Sequence, residues 1–411
     1  MEKILLRRSL LVLIAVLFIL GGISCSKAPD QVTLYVRAGA ESDALKQIAD
    51  HYMKKFNKKV VVNVVGRDGY TASMSTKLLS GSPEIDIYMV PSTMIPELAS
   101  AKVLEPLDTY ISTKDSDLLV QNTYKGTTYA MPIDISVLLF FYRSDLIKKV
   151  PETWDEYLET AKQFSQKLNP KSPTKYGAAI GALAPEDLSK AFFCMTWSFG
   201  GEIEKDGKPL FNSQGSIDAA NYYLKFFGSG VTTPEYLSWG VIQIFEALSK
   251  GELAMAAPQW NAVYPYLKTT DSPFKDKIAV ALIPGIKKDG KIERKSFKHS
   301  WTLVINKASK AKKDAYRFID YVVGKEGARF YATNSVGTPA RKSILTDPEI
   351  IQKRLEFKYV YETLQFANSE PEIVNYDEMI NIVNTALTRI LTKEKSPEEA
   401  LTEATKRETR K

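Results

Sequence analysis

Aromatic rings and polar side chains near the ends of apolar runs are what this 411-residue chain offers for chemistry. Trp260 and Tyr264 follow the run Leu253–Ala257, Trp301 opens the run Trp301–Ile305, and Trp239 stands in a loop. Hydrogen-bonding groups lie in comparable places. Arg37 and Glu41 flank the turn after the first strand-like run, Ser92 follows Pro91, and His299 and Ser300 precede Trp301. An aromatic face covers apolar C–H surface, while charged side chains form strong, charge-assisted hydrogen bonds to hydroxyls. The set suits capture of a molecule that is polar at its rim and apolar on its face. Each Trp would equally serve as core, the role expected of Trp154 at a helix start.

Catalytic and metal chemistry have little to work with. The chain holds two histidines, His51 and His299, and two cysteines, Cys25 and Cys194. It has no His pair at helical spacing, no Cys/His cluster, no GxxxxGK[ST] loop and no GxSxG elbow. No metal and no cofactor is therefore expected, and no enzyme. His51 lies on the helical stretch Ser42–Phe56 and is expected to face solvent. Cys194, within Phe192-Phe193-Cys194-Met195, reads as a small buried hydrophobe. Carboxylate pairs of the glycosidase kind stay open by counting alone, since 48 acids are present. No stretch resembles a hydrolase motif.

The formal net charge is +7. Its lysine clusters (Lys54-Lys55, Lys58-Lys59, Lys312-Lys313) lie beside helical patterns and read as solvated faces, so no nucleic-acid partner is expected. The N-terminus is different in kind. Lys3, Arg7 and Arg8 precede an apolar run from Leu10 to Leu20 and the small residues Gly21-Gly22. That is the form of a secretory signal peptide, 1–24, and the run is short for a membrane span. Ile23-Ser24-Cys25 resembles the lipobox of bacterial lipoproteins, with Gly22 where Leu is usual. It implies a lipidated Cys25 and a tether over 25–30. A retained anchor, or cleavage leaving a free thiol, are the alternatives.

Strand-like and helix-like segments alternate along the rest, which predicts an α/β architecture. Val32–Val36 alternates as a strand and leads to a helix with the apolar stripe Leu45, Ile48, Ala49, Tyr52 and Phe56. Lys59–Val65 is valine-rich; Thr71–Leu79 is helical. Ile85–Val90 and Val137–Tyr142 are near-continuous apolar strands of the kind buried on both faces. Thr153-Trp154-Asp155-Glu156 and Ser396-Pro397-Glu398-Glu399 have capping-box form, the first opening a helix expected to reach about Leu168. Asp86 is assigned to structure.

These segments, in order, resemble the family 1 extracellular solute-binding proteins, the sugar-binding components of ABC importers. Val32–Ala40 with the helix after it, Gly81–Ser92, Tyr124–Lys149 with Pro151–Gln163, Ser198–Ile203 with Phe211–Tyr223, Ala247–Tyr266, and His299–Val323 with Val336–Ser343 carry the likeness. The resemblance implies a two-lobed periplasmic-binding-protein-like fold of type II, with ligand in the cleft between lobes. Lobe one would be 31–135 plus 285–338, and lobe two 136–284 plus 339–411. Crossings would fall near Ile135–Val137, Ile283–Gly285 and Gly337–Pro339. It also implies that Asp134, beside the hinge, contacts ligand or forms a structural hydrogen bond across that hinge. Arg37, Glu41, Ser92, Trp239, Trp260, Tyr264, His299 and Trp301 complete the expected ligand set. The implied partners are a small solute, in the first place a sugar, ABC permease subunits, and the membrane through the lipid anchor; the protein is expected to be a monomer. A polyamine or another solute in the same fold, or a sensing lipoprotein, remain as rivals.

Overall fold

The computed structural model describes residues 31–111, 115–183, 186–371, 373 and 375–408. The expected signal segment, Cys25 and the tether lie outside the described residues. Two six-stranded sheets form the frame. The first runs in the order Lys59–Val65, Gln31–Arg37, Ile87–Pro91, Trp301–Ile305, Thr127–Pro132, Asn122–Tyr124. Its first three strands are parallel, and Trp301–Ile305 enters antiparallel between Ile87–Pro91 and Thr127–Pro132. All five residues of Ile87–Pro91 are buried, as its unbroken apolar sequence requires. Helices Ala40–Phe56, Tyr70–Leu79 and Lys312–Val323 close this core.

The second sheet runs Ala367–Ser369, Ser296–His299, Ser136–Arg143, Leu253–Trp260, Tyr176–Ala179. Ile278–Ala281 shares the edge of Ser136–Arg143 that Ser296–His299 uses. Alternation along the central strand explains its composition. Leu138 and Phe140 enter the core beneath helices Trp154–Gln163, Glu186–Ser198, Gln214–Gly228 and Tyr376–Leu391. Val137, Leu139 and Phe141 enter a separate core on the other face, beneath Val241–Ser249 and Glu356–Thr363. A strand covered on both sides has no polar face to show. Cys194 is fully buried in the first of these cores, and burial pushes its thiol up.

Local signals are met with small shifts. Thr153 Oγ1 accepts from Glu156 N at 3.1 Å, but the Glu156 carboxylate accepts from Glu152 N, one residue outside the expected partner. That helix stops at Gln163 rather than near Leu168; Thr174 Oγ1 donates to Phe164 O at 2.6 Å and ties the chain into a turn there. The Ser396–Glu399 box is reciprocal. Asp86 accepts from Thr33 N and Ser309 Oγ, a structural role. His51 is half-buried, with Nδ1 on Tyr321 Oη at 2.8 Å, rather than facing solvent.

The chain passes between the sheets at residues 133–135, again at Ser300, and a third time through 335–341. The expected crossing at Ile283–Gly285 is not one. Gly285 stays with the second sheet's helix start, through Gly285 N to Glu152 O at 2.9 Å and Trp154 N to Gly285 O at 3.0 Å. Ser296–His299 then pairs in the second sheet before the chain crosses.

One buried guanidinium grips the third crossing. Arg354 donates to the carbonyls of Ala332, Ser335, Val336 and Gly337 and to Glu356 Oε1. It thereby satisfies carbonyls at a helix end that would otherwise be orphaned. Arg354→Met would leave those carbonyls unpaired and strand the Glu356 carboxylate, itself 1% exposed. The expected loss is about 3–5 kcal/mol, read as a lower urea midpoint at unchanged slope.

Candidate functional site

A cavity of about 800 Å³ opens between the two sheets. That lies toward the upper end of the ~300–1,000 Å³ usual for small-molecule sites. Both sheets build its walls, and the start of helix Tyr376–Leu391 adds a third.

From the first sheet come Arg37 and Trp301. Arg37 ends its strand, and its guanidinium lies 4.2 Å from the centre of the Trp301 ring. Glu41 follows in the acidic first turn of Ala40–Phe56, where the helix N-terminus favours a carboxylate. Gly39, just before that helix, has φ +155°, a backbone conformation that residues with a side chain rarely adopt. Tyr70 meets Trp301 edge-on at 6.3 Å and donates to Met89 O at 2.6 Å. Burial pushes its phenol up.

From the second sheet come Trp260 and His299. Trp260 ends strand Leu253–Trp260, with Lys190 Nζ 5.3 Å from its ring centre. His299 stands between the tryptophans, 6.3 Å from Trp260 and 5.9 Å from Trp301, nearly perpendicular to the latter. The three rings form a continuous aromatic path from one sheet to the other.

The cavity thus gathers Arg37, Glu41, Trp260, His299 and Trp301 of the expected set. The other four stand elsewhere. Tyr264 is buried in the second sheet's outer core, stacked on Phe141, because the chain turns into helix Val263–Thr269 right after Trp260. Trp239 packs edge-on against Tyr176 at 5.2 Å, at the far edge of that sheet. Ser92 lies behind the cavity, where its N–H donates to Ser300 O at 2.9 Å.

Asp134 is buried where the chain first passes between the sheets. Its Oδ1 accepts from Trp301 N at 2.6 Å, Ser136 Oγ donates to Oδ2, and Ser300 Oγ donates to its backbone carbonyl. This is the structural hydrogen bond across two crossings. Burial above all, and then the charge of Glu41, push its carboxyl up to about 7 against the pull of the Trp301 N–H.

Sequence reasoning missed part of the lining. Asp187 and Lys190, one turn apart on helix Glu186–Ser198, both reach the cavity. Asp187 also accepts from Val241 N at 3.0 Å, at the start of the next helix. Tyr376, Asp377, Ile380 and Asn381 enter on one face of their helix, at the i and i+4 spacing that was the available signal. Across the walls the charged groups balance: Arg37, Arg67 and Lys190 against Glu41, Asp187 and Asp377. Among the described residues no group of three or more His, Cys, Asp or Glu could hold a metal ion. No described helix is long and apolar enough to cross a membrane.

The raised Asp134 value has a consequence for stability. Folding favours the protonated form, so its contribution is whole below the ordinary value of 3.8, falls as pH rises, and is gone above about 7. Asp134→Asn keeps an acceptor for Trp301 N–H and cannot titrate. Melting curves of the ligand-free protein should show the variant gaining on the native chain between about pH 4 and about pH 7.

A family profile described as "Bacterial extracellular solute-binding protein" matches residues 38–329. A probable ABC transporter-binding protein of Deinococcus radiodurans is 23% identical over 382 residues, covering 88% of this chain and 89% of that one. A maltooligosaccharide ABC transporter solute-binding lipoprotein of Streptococcus pneumoniae is 25% identical over 367 residues, covering 85% and 80%. Among solved structures, maltose-bound MalE3 of T. maritima superposes with a TM-score of 0.81 at 22% identity, covering 92% of this chain and 99% of that one.

Proposed function

This chain belongs to the bacterial extracellular solute-binding proteins, the binding components of ABC transporters and not enzymes, and from that premise we propose that its cleft captures a carbohydrate. The observation that carries the reading is the pair Trp260 and Trp301, one from each sheet, facing a single cavity of about 800 Å³. Two aromatic faces suit the C–H faces of sugar rings, and the charged groups around them suit hydroxyls. Charge balance argues in the same direction. A polyamine would call for an excess of acids, yet three cationic side chains stand among three acidic ones.

Capture needs no reaction. Residues 133–135, Ser300 and 335–341 serve as hinges between a first lobe built on the first sheet and a second lobe built on the second. A sugar touching both walls stabilises the closed form by the contacts that only this form makes. The closed shape is what permease subunits would accept. Cys25 would carry the lipid that keeps the protein, a monomer, outside the cytoplasm and anchored to the cell membrane, on its periplasmic or outer face.

A melting screen against neutral mono- and oligosaccharides, with spermidine alongside, tests the ligand class. At 100 times its dissociation constant a sugar should add about 2.7 kcal/mol of apparent stability. A response to spermidine and to no saccharide would overturn the reading. With a responding sugar, Trp260→Ala and Trp301→Ala should each weaken binding tenfold or more by calorimetry, about 1.4 kcal/mol per tenfold. For the anchor, Cys25→Ser should move the protein from the membrane pellet to the soluble fraction and abolish labelling by radioactive palmitate.

A further inference from the structure

We propose that Glu370 is a positioning residue for this site: it holds the Nδ1–H of His299 and so turns Nε2 toward the solute. The proposal rests on reading the cleft as the solute site. Strand pairing sets it up. Ala367–Ser369 runs parallel to Ser296–His299 with Lys298 opposite Ser369, and one further step brings Glu370 beside His299. The Glu370 carboxylate engages His299 Nδ1, and the two side chains are 7% and 10% exposed. Glu370 itself does not line the cleft. It borders a separate pocket of about 80 Å³ behind His299, together with Ser92 and Lys298, and His299 borders both spaces. Ser92 Oγ, just past the end of strand Ile87–Pro91, donates to the other carboxylate oxygen at 3.4 Å.

A carboxylate only accepts, so the nitrogen facing it must carry the proton. The hydrogen bond on one ring nitrogen then decides what the other presents. With Nδ1–H committed to Glu370, a neutral His299 offers Nε2 as a bare acceptor for a sugar hydroxyl, between two tryptophan rings. A protonated His299 offers Nε2–H as a charged donor from the same place. Without Glu370 the ring would be free to turn over or to move its proton to Nε2. The glutamate thus acts through the histidine, from the far side of it.

The chain has two histidines, so proton–nitrogen correlation spectra of the full chain labelled at histidine contain two ring systems. His51→Gln identifies the signals of His299. His299 Nδ1 should carry a proton in the native chain, because it faces the Glu370 carboxylate. Glu370→Gln keeps an acceptor oxygen and should preserve that pattern, whereas Glu370→Ala should give a neutral ring protonated on Nε2. A native His299 that is neutral with Nδ1 bare would overturn the proposal. So would an alanine variant, folded by its melting curve, with native ring signals; the native spectrum decides if that variant fails to fold. These spectra are taken without ligand, so a failed sugar screen would sink the carbohydrate reading and leave this result separate.

Discussion

One hydrogen bond, Trp301 N–H to the carboxylate of Asp134 at 2.6 Å, ties the first passage between the sheets to the aromatic wall of the cleft. It joins two of the three places where the chain passes between the sheets, and Ser300 Oγ closes the same junction through Asp134 O. Fixing Trp301 there fixes its ring, and the ring in turn carries Arg37 on its face and Tyr70 and His299 at its edges. The bond is made in a place that disfavours charge, which is why burial pushes the acid up to about 7. A group at a junction of this kind limits how the two halves can move, because each half contributes an atom to it. Arg354 does for the third passage what Asp134 does for the first two, with four carbonyls in its grip.

The cleft combines groups that would be costly apart. Lys190 is 5% exposed and stands over the Trp260 ring; Asp187 is shared with the start of a neighbouring helix. Groups already paired in this way would have less ordering left to do on binding a solute. On the carbohydrate reading, the cleft's aromatic surface and its balanced charges would address different parts of one sugar. The buried His299–Glu370 pair adds a polar group between the two tryptophans.

Much of the frame could be read from residue order. Period-two and near-continuous apolar runs marked the strands, and Val137–Tyr142 was unbroken because both its faces are covered. Trp260 and Trp301 were legible as cleft residues because an aromatic at the end of an apolar run leaves the sheet where loops begin. The same reasoning failed for Tyr264, whose helix turns it back beneath the strand, and for Trp239, whose loop sits at the far sheet edge. Lys190, Asp377 and Glu370 were missed for a different reason. Their positions depend on which helix or strand lies over the cleft, and the C-terminal segments reach it only through pairings far apart in sequence, such as Ala367–Ser369 with Ser296–His299. The second crossing was misplaced likewise, since nothing local distinguishes the turn at Gly285 from the passage at Ser300.

The most direct test is a crystal structure of the chain grown with the saccharide that raises its melting temperature most. A sugar in this cavity, in contact with both Trp260 and Trp301 and with polar contacts from both sheets, is the predicted result. A saccharide bound outside this cavity, or touching one sheet alone, would contradict the account.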